Sequence, residues 1–247
     1  MKKCFLGLIV IMVTVSILFS FVGCTKETPA EYFDYEKDDN HIIITGLVKT
    51  DLEKIVIPER IEGSFVTEIA EDAFRECTNL ISVTIPDSVT KIDEDAFEDC
   101  TGLVEVIIPD SVKEIGESAF SGCTSLSTVT IPDSVTDIYT RAFADCTSLT
   151  NVTIPDSVTY IGDDAFASCT SLKNITLSES LEYITEDTFN GCTSLTSVTI
   201  PDSVTDIYTR AFAGCTSLTN VTIPDSVEYI ASDAFEGTGV KLPERFN

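Results

Sequence analysis

The sequence predicts a mainly-β solenoid, a rod of stacked coils in which each coil is one repeat of 23 residues. Cysteine recurs with this spacing at seven positions and phenylalanine at eight, and an Ile-Pro dipeptide keeps the same frame with one break at Leu177-Ser178. Units of this length stack, because one unit cannot bury its own apolar face. The cysteines are Cys77, Cys100, Cys123, Cys146, Cys169, Cys192 and Cys215, and the phenylalanines are Phe74, Phe97, Phe120, Phe143, Phe166, Phe189, Phe212 and Phe235.

Each repeat predicts the same series of elements, illustrated by the repeat that begins at Val129. Val129–Ile131 alternates apolar and polar residues, which is typical of a half-buried strand. The next residues, Pro-Asp-Ser, end the strand and favour a turn, because proline lacks an N–H and fixes φ. Ile138 returns to the core, Ala142-Phe143 is expected on a short helical turn, and Cys146 closes the coil.

The two ends of the chain depart from the repeat. Residues 40–46 and 55–58 predict strands of an N-terminal cap, and the first unit carries an insertion around residues 62–64. The C-terminal unit is shortened after Thr238, which stands where the other units have cysteine. The predicted division is a signal peptide at 1–23, a flexible tether at 24–39, an N-terminal cap at 40–65, the solenoid at 66–239 and a C-terminal cap at 240–247.

The N-terminus predicts secretion. Lys2 and Lys3 precede a long apolar stretch, Phe5 to Val22, which ends at Gly23-Cys24. A cysteine directly after this glycine resembles a bacterial lipobox, and the resemblance implies that Cys24 is lipidated and becomes the new N-terminus. The alternative is an uncleaved transmembrane anchor, because 18 or more apolar residues can span a bilayer. Both interpretations place the body of the protein outside the cytoplasm, and the first anchors it to the cell membrane by a lipid.

The repeat resembles a known family. Its Cys-Thr-Ser-Leu, Val-Thr-Ile-Pro-Asp-Ser-Val and Ala-Phe elements are similar to BspA-like leucine-rich repeats over about residues 40–243. This resemblance implies a right-handed parallel-β solenoid with leucine-rich-type repeats, displayed on the surface of gut or oral bacteria. It also implies adhesion to host matrix proteins or to other bacteria, and it brings no catalytic residues and no cofactor.

The net charge and the cysteine positions limit the kinds of binding site that the chain is expected to contain. The formal net charge of −26 argues against binding to nucleic acid, whose phosphates need Lys and Arg. The seven repeat cysteines share one position between apolar neighbours, which favours unreactive core thiols over disulfides. A zinc site is not expected, since the chain has one histidine, His41, and no C-x₂-C pair. The aspartates after Ile-Pro form a stacked column, for which turn hydrogen bonding and weak Ca²⁺ binding are alternatives.

Two surfaces are candidates for binding an extracellular protein or glycan. Tyrosines beside the inward Ile line one edge of the rod, and tyrosine is enriched at binding hot spots. The outward threonines of the strands form a flat, neutral face, which suits glycans, an added strand or ice; β-propensity at exposed sites explains it equally well. The candidate residues are Tyr139, Tyr160, Tyr183, Tyr208 and Tyr229, and Thr130, Thr153, Thr176, Thr199 and Thr222.

Internal duplication argues against an enzyme. Residues 129–158 and 198–227 are the same string except for Asp145 against Gly214. Such copying preserves a surface and a stacking geometry, whereas an active site needs a unique constellation of residues. The expected function is therefore adhesion or another interaction at the cell surface, and the alternative is a passive envelope spacer without a specific ligand.

Overall fold

The predicted fold class is confirmed by the computed structural model, which describes residues 26–246. Short strands and turns make up almost all of this part of the chain. Its only helical elements are two 3-10 helices of three residues, Ala30–Tyr32 and Glu244–Phe246. The body is a parallel-β solenoid of about eight turns.

Five strands build the N-terminal end, and they are β1 (Phe33–Asp38), β2 (His41–Leu47), β3 (Lys54–Val56), β4 (Arg60–Ile61) and β5 (Ser64–Ile69). Strands β1 and β2 pair antiparallel, β2 pairs parallel with β5, and β4 and β5 form a hairpin whose turn is the predicted insertion. Glu62 and Gly63 in that turn both have positive φ, which this tight reversal requires.

The prediction of a flexible tether over residues 24–39 is wrong for its second half. Strand β1 lies within it, and Phe33 at the start of that strand is buried in the core. Thr28 is also held, because its amide donates to the Val56 carbonyl and its hydroxyl accepts from the Val56 amide, both at 2.9 Å. The short charged sequence around Tyr35 concealed this strand, since only Phe33 of its first residues is inward and apolar.

From residue 82 onward a three-residue and a two-residue strand alternate, and each pairs in parallel with its equivalent 23 residues away. The three-residue strands form one row along the solenoid and the two-residue strands form another, and each row is divided into two sheets. The strands are β6 (Ser82–Thr84), β7 (Lys91–Ile92), β8 (Glu105–Ile107), β9 (Glu114–Ile115), β10 (Thr128–Thr130), β11 (Asp137–Ile138), β12 (Asn151–Thr153), β13 (Tyr160–Ile161), β14 (Asn174–Thr176), β15 (Tyr183–Ile184), β16 (Ser197–Thr199), β17 (Asp206–Ile207), β18 (Asn220–Thr222) and β19 (Tyr229–Ile230).

Both rows are interrupted near the irregular coil that begins at Leu177-Ser178. One row runs from β3 to β14 and restarts with β16 and β18, and the other runs to β13 and restarts with β15. Thr185 gives a physical reason for the second break. Its hydroxyl donates to the Ile161 carbonyl at 2.9 Å. In neighbouring coils the equivalent carbonyl accepts from a backbone amide, as the Ile184 carbonyl does from the Tyr208 amide.

The third side of each coil consists of turns and not of the short helical turn expected from the sequence. The residue before Ala142 and the residue before Cys146 have positive φ, 58° at Arg141 and 59° at Asp145, which a right-handed helix excludes. Backbone amides therefore bond to the next coil, as the Phe143 amide does to the Ala165 carbonyl at 2.8 Å. This ladder joins the coils as the strands do.

The phenylalanines form a column along the axis of the rod. Adjacent rings lie 4.9–5.7 Å apart with interplanar angles of 4–15°. Seven of the eight are completely buried, and Phe235 at the C-terminal end is 9% exposed. Stacking of this kind places the large apolar side chains of successive repeats in direct contact, so each coil buries part of its neighbours.

Candidate interaction surfaces

The outward side chains of the three-residue strands form what we call the strand face. All five candidate threonines are exposed on it, and they lie in register, as Thr153 does with Thr176 and Thr199 with Thr222. The Asn174 side-chain amide donates to that of Asn151 at 2.7 Å, which ties adjacent strands together. Toward the N-terminus one apolar side chain interrupts this polar face, because Ile107 is 61% exposed and lies in register with Thr130.

The strand face is not flat throughout, which corrects the expectation of one continuous plane. Strands β10 and β12 pair only at Thr128 and Asn151, and a groove of about 580 Å³ opens there between Thr130 and Thr153. A second groove, of about 330 Å³, lies between β14 and β16, which are not paired. Sequence spacing did not reveal these grooves, because the strands on the two sides of each groove keep the 23-residue spacing.

The candidate tyrosines lie on the outside of the two-residue strands, and we call this surface the tyrosine face. Tyr160, Tyr183 and Tyr229 begin strands β13, β15 and β19, whereas Tyr139 and Tyr208 directly follow β11 and β17. Their ring centroids are 6.1 Å apart for Tyr139 and Tyr160, 5.9 Å for Tyr183 and Tyr208, and 6.3 Å for Tyr208 and Tyr229. The structure thus places the five residues on one surface over five consecutive coils.

The tyrosine rings remain accessible. Tyr139, Tyr208 and Tyr229 are 37%, 40% and 50% exposed, and the other two are half-buried. Contacting rings are inclined to each other by 51–60°, so they do not cover each other's faces as the phenylalanine rings of the core do. The predicted edge is therefore an array of aromatic rings open to solvent.

Carboxylates border the tyrosine face, and sequence reasoning did not single them out. Asp137 lies in register with Tyr160 on one side and with Glu114 on the other, and Asp206 lies between Tyr183 and Tyr229. The pKa of the Tyr139 hydroxyl is raised by burial and then by the charges of Glu114 and Asp137. A sequence signal existed, since the Asp-Ile-Tyr triplet occurs at both 137–139 and 206–208.

Comparison with known proteins decides the family. A family model described as BspA type leucine-rich repeat region matches residues 47–163 and 136–244. The chain belongs to the BspA-type leucine-rich repeat family. No curated protein matches it.

Solved structures agree with this family membership. A leucine-rich repeat protein from Bacteroides ovatus is 34% identical with a TM-score of 0.80, and the match covers 87% of this chain and 59% of that one. A leucine-rich repeat protein from T. pallidum is 33% identical with a TM-score of 0.62, and the match covers 83% of this chain and 86% of that one. This BspA-type chain therefore spans less than two thirds of the B. ovatus protein.

The repeat cysteines of this BspA-type protein are core thiols, as predicted. All seven are free and buried. Each thiol from Cys100 onward donates to the phenylalanine carbonyl of the preceding coil at 3.0–3.2 Å, for example Cys146 to Phe120 at 3.2 Å. Burial raises the pKa of Cys123 and of Cys169 to about 12, so these thiols stay protonated and unreactive at neutral pH.

The aspartate column of the BspA-type repeats is exposed. The Asp156 carboxylate accepts from the Glu179 amide at 3.0 Å, which agrees with a role in turn hydrogen bonding. Arg245 pairs with the last member, Asp225, at 2.6 Å. Within residues 26–246 no group of three or more His, Cys, Asp or Glu side chains is arranged to hold a metal ion, and weak Ca²⁺ binding stays a prediction.

The dense negative charge predicts that mild acidification stabilises the protein. The pKa of Glu94 is raised, chiefly by the charge of Glu117, and burial raises the pKa of Glu98 and of Asp164. A carboxyl whose pKa is higher in the folded state binds more protons there, so folding gains stability as the pH falls through that pKa. This gain in stability is complete once the pH is below the ordinary pKa of a Glu side chain, about 4.3.

Asp187 acts in the opposite direction at lower pH. Its hydrogen bonds from Arg210 lower its pKa, so its contribution to stability is present above about pH 3.9 and is lost below it. We therefore expect the melting temperature to rise from pH 7 to about pH 4–5 and to fall below that range. Calorimetry checks this, with Glu94→Gln as the variant that flattens the rise. A melting temperature that falls steadily from pH 7 would contradict it.

No helix within residues 26–246 has the length and apolarity to span a bilayer. The predicted signal peptide, the alternative membrane anchor and Cys24 all lie outside the described residues.

Proposed function

We propose that this leucine-rich repeat protein is a non-catalytic surface protein that binds an extracellular protein or glycan, in adhesion to a host or to other bacteria. The tyrosine face carries this proposal. Five tyrosines lie in five consecutive coils, three of the four neighbouring pairs have ring centroids 5.9–6.3 Å apart, and three of the rings are exposed. Tyrosine contributes a large contact area with little entropy to lose, so a regular exposed array of this kind suits an interface.

The strand face supports the same function as a second surface. Its threonine hydroxyls and asparagine amides, at the edges of the two grooves, supply the donors and acceptors with which proteins bind glycans or an added strand. Catalysis has no support from these surfaces. Both are built from repeated residues, and the thiols, which are the strongest nucleophiles of the repeats, are buried and protonated.

The proposed location is the outer side of the cell membrane, with lipid on Cys24. The apolar stretch before Gly23-Cys24 supports this assignment. In cells supplied with an alkyne-tagged fatty acid, the native protein should become labelled, and the label should remain on the protein after washing. Cys24→Ser should abolish the label. A native protein that remains in the membrane fraction without taking up label would favour the uncleaved anchor.

A binding screen tests the function itself. The protein is applied to arrays of matrix proteins, mucins and bacterial glycans, together with one variant of each face. Tyr139→Ala/Tyr208→Ala changes the tyrosine face, and Thr153→Lys/Thr176→Lys places bulky charge on the strand face. We expect binding to at least one class and its loss in at least one variant. Absence of binding to every class would favour a passive envelope spacer.

A further inference from the structure

The carboxylates beside the tyrosines lack the basic partners that the same row of strands has nearer the N-terminus. There, Lys91 of β7 pairs with Glu68 at 3.3 Å and with Asp93 at 2.6 Å. Four carboxylates border the tyrosine face, and we call them the acidic rim. None of them forms an ion pair with any side chain of residues 26–246. They are Glu114, Asp137, Asp163 and Asp206.

The two basic side chains closest in sequence to the tyrosines are directed elsewhere. Arg141 lies 3.6 Å from Asp145, and Arg210 binds Asp187 and Glu186. The Thr136 hydroxyl donates to one oxygen of Asp137 at 2.6 Å, and Thr205 does the same to Asp206. These hydroxyls fix the two carboxylates in place without neutralising them, and the protein carries a net charge of −26.

Aromatic rings with nearby carboxylates are suited to bind cations. The negative face of a tyrosine ring attracts an ammonium or guanidinium group, and an adjacent carboxylate strengthens the attraction. The chain uses this contact at its own N-terminal end. Lys49 Nζ lies 4.1 Å from the centre of the Tyr32 ring, and Arg60 Cζ lies 3.3 Å from that of Phe65.

We propose that the tyrosine face binds a basic, extended protein segment whose Lys or Arg side chains contact both the rings and the acidic rim. This rests on the proposed function, because it names the class of partner for one of its surfaces. Five coils span about 19 Å at the usual strand spacing, the length of roughly six extended residues. A neutral glycan leaves the charge of the rim uncompensated and an anionic glycan is repelled, so the rim favours a basic segment.

The test uses the full chain and a fluorescent peptide of four Lys-Gly units, compared with the same peptide in which every lysine is acetylated. We expect the lysine peptide to bind at least about tenfold more tightly, and its affinity to fall as NaCl is raised. Equal affinity of the two peptides, or no binding of either, would overturn the proposal.

Variants localise the binding. The triple variant Tyr139→Ala/Tyr208→Ala/Tyr229→Ala should weaken binding of the lysine peptide by about tenfold or more. The triple variant with phenylalanine at the same positions should stay within about twofold of the native protein, because phenylalanine keeps the ring face. If the alanine variant does not fold, as seen by circular dichroism, the charge variants below still decide. Phenylalanine variants that bind as weakly as a folded alanine variant would contradict a cation contact with the ring faces.

The duplicated segment supplies a charge-matched control. Asp137→Asn/Asp206→Asn removes two charges from the acidic rim, and Asp133→Asn/Asp202→Asn removes two charges from the exposed aspartate column of the same two coils. We expect the first pair to weaken peptide binding at least fivefold more than the second. Equal loss in both pairs would reveal general attraction to an acidic protein and overturn the proposal.

The array screen separates this inference from the proposed function. Binding to an array component without binding to the lysine peptide overturns the inference and leaves the proposed function standing. Binding to neither overturns both.

Discussion

Replacing Phe143 with alanine is expected to lower the free energy of unfolding by about 3–5 kcal/mol, as large-to-small changes of buried aromatic residues do. The ring is completely buried, and its centroid lies 5.4 Å from that of Phe120 and 5.3 Å from that of Phe166. The cavity left by alanine therefore lies between two coils, in the interface on which a solenoid depends. Urea denaturation of the full chain measures the effect.

Phe235→Ala is the matched control. Phe235 ends the column, is 9% exposed and contacts one ring, Phe212, at 5.2 Å. We expect a loss roughly half as large, because half of the ring contacts are removed and the terminal coil relaxes more freely. Equal losses from Phe143→Ala and Phe235→Ala would show that stacking between coils does not set the cost.

Arg210→Ala is expected to cost about 1–3 kcal/mol, because it removes a charged hydrogen-bond partner from a carboxylate that is almost buried. The Asp187 side chain is 8% exposed, and Arg210 Nε donates to its Oδ1 at 2.9 Å. Asn190 also donates to Asp187, so one hydrogen bond remains in the variant. The same denaturation experiment measures the loss.

The duplication provides the control for this prediction as well. Arg141 has the same neighbours in sequence and a similar positive φ, 58° against 52°, but its partner is the half-exposed Asp145 at 3.6 Å. Arg141→Ala should therefore change stability by less than about 0.5 kcal/mol, as exposed ion pairs usually do. The difference between the two variants isolates the contribution of Asp187, and a difference near zero would refute it.

Periodicity was sufficient to predict the repeating elements. The alternation in Val129–Ile131, the core position of Ile138 and the buried thiol of Cys146 all follow from a spacing that brings equivalent residues into register. The regular coils make the same contacts with their neighbours, so one sequence pattern predicts many contacts. The tyrosine face was predictable for the same reason, since Tyr139 and Tyr160 lie beside inward isoleucines.

Features that depend on a single residue or on charge pairing were not predictable. Strand β1 was missed because its outward residues are charged, and only Phe33 indicates burial. The break beside Thr185 arises from one hydroxyl that takes the place of a backbone amide. The turns at Ala142-Phe143 were expected to be helical because an arginine in the sequence gives no sign of a positive φ. Arginine seldom adopts one, yet Arg141 does.

The near-identity of residues 129–158 and 198–227 has a consequence for how the protein can change in length. The copies lie 69 residues apart, so recombination between them adds or deletes three coils, about 14 Å of rod, without a new junction. Each added block carries another Asp-Ile-Tyr triplet, so the number of binding positions on the proposed tyrosine face grows with the length of the rod. Avidity rises steeply with the number of linked contacts, even when each contact is unchanged.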